Sequence, residues 1–531
     1  MEFKRFELSD IENLAPLILN KRSISCENTL ANLAVWAPSY EPEIYVDSQD
    51  VYIKIEDKNG PVFSLMLCSD LKKSVQKVCD FCKTNNIIPQ FLVEDDFLAE
   101  YSDIFQNDFF LYEVRSAAEY IYKQSDLAGL SGKKYHSKRN HISAFSKKYD
   151  WRYEPLCEGN KTDFLRMADE WYLKNQDKLN GETEIEREGI HYLVENMWKF
   201  GAQGGLIRVD DKVVAITLGA AINENIFDVM FEKALPEYQG AYAVINNEFA
   251  KTLNHDLINR EEDLGIEGLR KAKLSYKPHI LLRKYIAVPK RVFESSVNLH
   301  LVSFEGETEK SANSFVSSFF GDCFFVQKNG KIISQLFVID AELNGESVGY
   351  IYAAATDKAY QKQGLMGSLI EKVKQIYPRL ALRPANERLY SYYEKFGFKT
   401  AFYSDVINGI KTENTVKLRK ITDLAEFLQL RNSLLPTNSL NLCDKALDFV
   451  LEQYEVYAGD NCLAVCYKDG DTLNIRELLY SGEYDGFINA LLKAENCNKF
   501  VAYMPTETKK IKSGMLYPYD EKINYLGLAI D

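Results

Sequence analysis

Gln361-Lys362-Gln363-Gly364-Leu365-Met366-Gly367 is the stretch of this chain best suited to hold a ligand. It follows an apolar, β-rich run at 348–356. It leads into Leu365, Leu369, Ile370, Val373 and Ile376 at near-helical spacing. A glycine turn that opens a helix leaves backbone N–H groups unpaired and pointing one way. With the helix dipole they suit a pyrophosphate, and Lys362 adds charge. Two acid-free basic stretches carry a second kind of chemistry. Residues 132–148 hold Lys133, Lys134, Lys138, Arg139, Lys147 and Lys148. Residues 268–293 hold Arg270, Lys271, Lys273, Lys277, Arg283, Lys284, Lys290 and Arg291. If Lys134, Lys138, Arg139, Arg270 and Lys273 line one cleft near Tyr135 and Asn259, they form an anion site. It would suit a tRNA acceptor stem, a phospholipid headgroup or a cofactor's phosphates. The alternative is a solvated basic face. Glu261-Glu262-Asp263, between the two stretches, could orient a substrate ammonium or cap a helix starting near Ile266.

Alternating helical and strand patterns must position these residues. Apolar spacing predicts helices at 10–19, 71–84, 133–148, 161–175, 184–200 and 241–253. Runs rich in β-formers predict strands at 51–55, 62–67, 109–111, 205–209, 213–222 and 225–231. Val288-Pro289-Lys290-Arg291 reads as a short linker. Residues 350–398 then read strand, turn, helix, strand, helix. In 411–531, helices are expected at 421–433, 446–454 and 488–493, and strands at 463–467, 473–479 and 525–530. No glycine phosphate loop occurs there.

The loop at 361–367, with Thr356 before it and Tyr393-Glu394-Lys395-Phe396-Gly397-Phe398 after it, resembles the GNAT acetyltransferases. That family has an Arg/Gln-x-x-Gly-x-Gly/Ala loop after its fourth strand. Gln361 and Gly364 match it. Met366 stands where the second small residue is expected, and Gly367 follows one place late. The resemblance implies acetyl-CoA, or another acyl-CoA, as cofactor. Its acyl-pantetheine chain would lie against the backbone of Tyr352, Ala353 and Ala354, and its pyrophosphate on the loop from Gln361 through Lys362, Gln363, Gly364, Leu365 and Met366 to Gly367. Tyr393 would protonate the leaving sulfur, with Tyr390 and Tyr392 close enough to be confused with it. Arg383 and Asn386 would shape the acceptor site. On residue type alone, the alanines also fit a tightly packed central strand, and Tyr393 a packing aromatic.

Residues 1–288 resemble the soluble C-terminal domain of phosphatidylglycerol lysyltransferases. The matching stretches are Gly132-Lys133-Lys134-Tyr135-His136-Ser137-Lys138-Arg139-Asn140-His141, residues 259–273 and Ser275-Tyr276-Lys277-Pro278. Such domains take an aminoacyl group from tRNA and give it to a lipid. The resemblances together imply an α/β fold of mixed sheets (α+β in part), built from about four tandem GNAT-like acyltransferase units. Two lie in 1–288 and one in 295–410. A degenerate one in 411–531 would pack on the third and close its acceptor cleft. The expected activity is transfer of an acetyl or other acyl group from CoA to a small-molecule or peptide amine. The rivals are aminoacyl-tRNA-dependent transfer by the N-terminal domain and a non-catalytic assembly that binds an acylated ligand.

Composition bounds these readings. The 64 basic and 77 acidic residues give a net charge of −13, which argues against bulk nucleic-acid binding. No apolar run reaches the ~18 residues of a membrane span, and the first residues have no apolar signal core. The 10 cysteines form no disulfide framework. Cys79 and Cys82 read as core thiols of one helix. The six histidines do not cluster, so no metal site is expected. A soluble, cytoplasmic protein is the expectation.

Overall fold

A strand, a crossover helix and a second, parallel strand recur four times, twice in each of two units, Met1–Lys290 and Arg291–Asp531. The computed structural model describes the chain except residues 19–22, 66, 176–181, 414–415, 507, 523 and 529–531. The ends of the expected strand at 525–530 and of the expected helix at 10–19, and residue 66 of the expected strand at 62–67, therefore lie outside the described residues.

In the first unit, copy one is β1 (Gly60–Ser64), α1 (Leu71–Thr84) and β2 (Gln90–Glu94). Asp70 starts α1 by accepting from the Lys73 N–H at 3.0 Å. Leu71, Val75, Val78 and Cys82 form its buried face. Parallel pairing runs from Val62 opposite Gln90 to Ser64 opposite Leu92. β3 (Phe109–Glu113), β4 (Glu119–Lys123) and the basic α2 (His136–Lys148) follow. Next come β5 (Lys212–Ala221) and copy two: β6 (Ile226–Ala234), α3 (Ala241–Thr252) and β7 (Leu257–Glu262). Here pairing runs from Ile226 opposite Leu257 to Asp228 opposite Asn259. α4 (Glu267–Leu274) and β8 (Lys284–Pro289) end the unit. β8 inserts between β2 and β3, while β4 pairs with β7, giving two sheets of seven strands each.

Residues 288–291 are not a linker. Val288 and Pro289 end β8, paired with Phe110 and Phe109. Lys290 begins the helix Lys290–Ser303 directly. A proline at a strand end needs no ladder N–H, so the division between the two units falls here without any loop, strand passing straight into helix.

The second unit contains β9 (Lys331–Leu343), β10 (Glu346–Thr356), α5 (Leu365–Ile376), β11 (Leu380–Leu382), α6 (Glu387–Glu394) and β12 (Lys399–Ile410). It continues with α7 (Leu424–Leu434), β13 (Cys462–Asp469), β14 (Thr472–Tyr480), α8 (Asp485–Ala494), β15 (Lys499–Met504) and β16 (Ile511–Tyr517). Copy three is β10–α5–β11, and copy four is β14–α8–β15. β12 pairs with β15 on one edge and β16 on the other, so both copies share one continuous 13-stranded sheet. β16 lies between β11 and β12. Copy three therefore lacks a sheet strand until residues 511–517 supply it. The core of copy three packs Leu369, Ile370 and Val373 of α5 on Val338, Ile351 and Leu382.

Candidate functional site

In copy three the parallel pairing stops at Ile351 opposite Leu382, while β10 runs on to Thr356. On its other edge β10 bulges. Phe337 opposes Tyr352 and Gln335 opposes Ala355, so Ala353 and Ala354 share one partner. Ala353 takes φ 49°, which its small side chain tolerates better than a bulky one. Past the split, the backbone of Tyr352, Ala353 and Ala354 has no neighbouring strand on the β11 side among the described residues.

The loop that follows ends at the N-terminus of α5. Lys362 (φ 62°) and Gly364 (φ 80°) are left-handed, and Gly364 is the N-cap. The first helical bond runs from the Ser368 N–H to Gly364 O at 3.0 Å. The N–H groups of Leu365, Met366 and Gly367 thus precede any helical acceptor. A Cβ built on Gly364 would meet nothing within 4 Å, so the space before this turn is open. Gln361 Nε2 donates to Thr356 O at 3.2 Å and fastens the loop to the strand end. Gln363 Nε2 reaches Ala359 O at 3.5 Å. Gly367 has a different task. A Cβ there would stand 3.2 Å from the Phe396 ring, so it lets α5 and α6 approach. Met366 packs half-buried against the core of this copy.

Asn386 caps α6 by accepting from the Leu389 N–H at 3.3 Å. Tyr393, on the last turn, is buried among Tyr392 (centroids 5.3 Å) and Phe398 (6.0 Å). Burial holds its phenol pKa well above the ordinary value. The Tyr390 phenol is pushed up to about 12, also by burial. Arg383 lies over the Tyr503 ring at 5.6 Å.

Copy four repeats the backbone pattern with different contents. Glu483 and Asp485 sit where α8 begins, so acids occupy the position a phosphate would need. Beside the point where β14 and β15 part, Glu477 is locked to Arg431 of α7 at 2.8 and 3.1 Å, both side chains fully buried.

The first unit holds a buried polar centre. The Lys284 ammonium sits 2.5 Å from Glu119 and 2.7 Å from Glu27, as charge contacts outside hydrogen-bond angles. Glu119 also accepts from Ser25 Oγ (2.5 Å), the Cys26 N–H (3.0 Å) and Asn259 Nδ2. Burial alone would raise the Glu119 pKa, but the Lys284 charge holds it below the usual value. Asp228 is the last residue paired before β6 and β7 part. Cys26 Sγ and carboxylate oxygens of Asp228 and Glu261 lie within 4.8 Å of one another. Burial, then neighbouring acids, pushes all three groups up.

The five basic residues expected around one anion are placed as follows. Lys134 pairs with Asp126 at 3.1 Å. Arg139 caps the carbonyls of Leu130 and Gly132. Arg270 grips Asp263 at 2.9 and 3.0 Å. Lys273 is buried on the carbonyls of Arg260 and Glu262. Lys138 donates to Ser275 Oγ at 2.6 Å and lies 3.8 Å from the Tyr276 ring centre. The two basic stretches therefore meet at Lys138, while the other four heads are held by separate protein acceptors. Asp263 does not cap the helix that follows, whose N-cap Ile266 has no side-chain cap bond; it accepts from the Gly265 N–H at 2.9 Å in the turn before it and from Arg115 at 3.0 Å.

Burial, then the nearby Arg260 charge, lowers the Lys138 pKa to about 8. Its unfolded value is about 10.4. Across about pH 8 to 10 the native chain has lost a proton that the unfolded chain keeps, so stability should rise with pH there. Lys138→Met should flatten that rise. NMR of lysine side-chain carbons should show one ammonium titrating near pH 8; a lowest midpoint near 10 would contradict this environment.

Residues 21–288, just over half of the chain, match the family model described as phosphatidylglycerol lysyltransferase, C-terminal. Residues 293–398 match the acetyltransferase (GNAT) family. A conserved protein of unknown function from Bacteroides thetaiotaomicron is 35% identical, over 54% of this chain and 99% of that one, with a TM-score of 0.51. L-PGS from Bacillus licheniformis is 15% identical, over 54% and 93% of the two chains, with a TM-score of 0.38. An uncharacterized protein of Mycoplasmoides gallisepticum is 24% identical over 179 residues, 32% of this chain; the chain spans 56% of that relative's length. No helix among the described residues is long and apolar enough to cross a membrane. The fold is a mixed α/β assembly of tandem GNAT-like acyltransferase units, and the chain belongs to the phosphatidylglycerol lysyltransferase C-terminal family.

Proposed function

We propose that the protein transfers an acyl group, acetyl in the simplest case, from CoA to an amine at copy three. One observation carries this reading. The strand split after Ile351 and Leu382, with its bulge at Ala353, opens beside the uncovered first turn of α5. The N–H groups of Leu365, Met366 and Gly367, with Lys362, would hold the pyrophosphate. The backbone of Tyr352, Ala353 and Ala354 would take up the pantetheine amides. The amine nitrogen attacks the thioester carbon, the C–S bond breaks, and Tyr393 gives its proton to the sulfur while the amine's proton leaves to solvent. The acceptor is a small-molecule or peptide amine.

Gly364→Glu tests the site. A carboxylate would enter the phosphate cradle, and left-handed backbone costs a non-glycine residue about 1–2 kcal/mol. The mutant should still fold, since its Cβ meets nothing. Acetyl-CoA should raise the melting temperature of the wild type and leave the folded mutant unmoved. An equal ligand-induced rise in both would place the cofactor elsewhere.

A second reading, aminoacyl-tRNA-dependent transfer by the first unit, is favoured by α2, where Arg139, Lys147 and Lys148 are exposed with no acid on the helix. Lys147→Glu with Lys148→Glu should weaken binding of bulk tRNA and reduce its salt slope by about 2. Salt-independent binding would remove this support.

A further inference from the structure

We infer that Cys26, Asp228 and Glu261 hold a divalent transition-metal ion inside the first unit. Cys26 comes from a segment about two hundred residues before those of Asp228 and Glu261, yet the Sγ and carboxylate oxygens lie within 4.8 Å of one another. Ligands of a tetrahedral ion with bonds of about 2.0–2.3 Å stand roughly 3.5 Å apart. Small side-chain rotations would therefore close the set. A thiol beside two carboxylates suits zinc, iron or cobalt, not magnesium or calcium, which take oxygen alone.

An independent feature points to a ligand here. Asp228 is 1% exposed, and neither of its carboxylate oxygens has a hydrogen-bond partner among the described residues. A buried carboxylate left this way is costly. The backbone is shaped to place it: a Cβ on Gly219 would stand 1.9 Å from Asp228 O, so only glycine lets β5 pass. The ammonium groups nearby are committed. Lys273 is bonded to two carbonyls, and Lys284 serves Glu119 and Glu27.

The surroundings orient the proposed ligands. Glu119 accepts the Cys26 N–H at 3.0 Å. Asn259 accepts the Glu261 N–H at 2.8 Å and donates to Glu119. Asn32 Nδ2 reaches Glu261 at 3.4 Å. Such partners fix ligand geometry at metal sites. Cys26 and Asp228 are buried and Glu261 is half-buried, which gives an ion a way in. With three protein ligands, a fourth position remains for water or a carbonyl oxygen.

The test uses the full chain, stripped with a chelator and titrated with Co²⁺ under reducing conditions. About one equivalent should bind and give a thiolate-to-cobalt charge-transfer band. Cys26→Ser should abolish the band, and Asp228→Asn should weaken Co²⁺ binding by about 100-fold or more, beyond the loss of an orienting partner. Cys157→Ser, at an exposed thiol, should leave both intact. Asparagine keeps the shape of aspartate, so it serves if the serine variant misfolds; circular dichroism checks both. No band, a band lost only in Cys157→Ser, or binding indifferent to Cys26 and Asp228 would overturn the assignment. So would stabilisation by a free amino acid in metal-free protein that Asp228→Asn removes, without any Co²⁺ band, since the cluster would then hold an ammonium.

Discussion

Replacing Tyr393 by Phe should lower turnover by about 10²–10⁴, the usual worth of a positioned general acid. The ring is buried against Tyr392 and Phe398, and phenylalanine keeps those contacts. Burial also keeps the phenol protonated at neutral pH, the state a proton donor needs. The loss should fall on kcat, with acetyl-CoA affinity and melting temperature nearly unchanged. Thiol release, with whichever amine the wild type accepts best in a panel, is the measurement. An unchanged rate would make Tyr393 a packing residue.

Lys284→Met should be the most damaging single change in the first unit. It leaves Glu119, fully buried, without its cation, and breaking a buried pair from one side costs about 3–5 kcal/mol. Glu119→Gln added to it should recover a large part of the loss, because the stranded charge goes with it. The wild-type pair also sets a pH dependence. Glu119 titrates below its unfolded value, so its contribution is present above the ordinary carboxylate range and lost as pH falls through the folded value. Denaturant unfolding of the three chains checks this. A loss under about 1 kcal/mol in Lys284→Met, within the range of ordinary surface changes, would mean water reaches Glu119.

What could be read from the sequence was local. The turn at 361–367 is written in consecutive residues, because a left-handed glycine and the helical apolar pattern after it act within a few positions. The first strand and the helix of each copy could be read the same way, but the second parallel strand only in copy three; those at 90–94, 257–262 and 499–504 were not expected. The absence of a phosphate loop in copy four was equally visible, since Tyr484 stands at the helix N-cap where copy three has Gly364. The polar centre was not legible. Cys26, Glu119, Asp228, Asn259 and Lys284 come from separate segments, and only tertiary contacts gather them. The basic stretches show a second limit. Charge counting sees Arg139 and Lys273 as free cations, but their acceptors are backbone carbonyls, which carry no sequence signature. The supposed linker at 288–291 shows a third. Proline and charge marked the boundary between the two units, but long-range pairing made a strand end of Val288 and Pro289 in place of a loop.

Hydrogen exchange of the full chain with and without acetyl-CoA tests the central claim most directly. Bound cofactor should slow exchange in peptides covering 352–354 and 361–367, where the backbone would gain contacts with the pantetheine and the pyrophosphate. Copy four and the first unit should be unchanged. Protection confined to the first unit, or none at saturating acetyl-CoA, would contradict a CoA site at copy three.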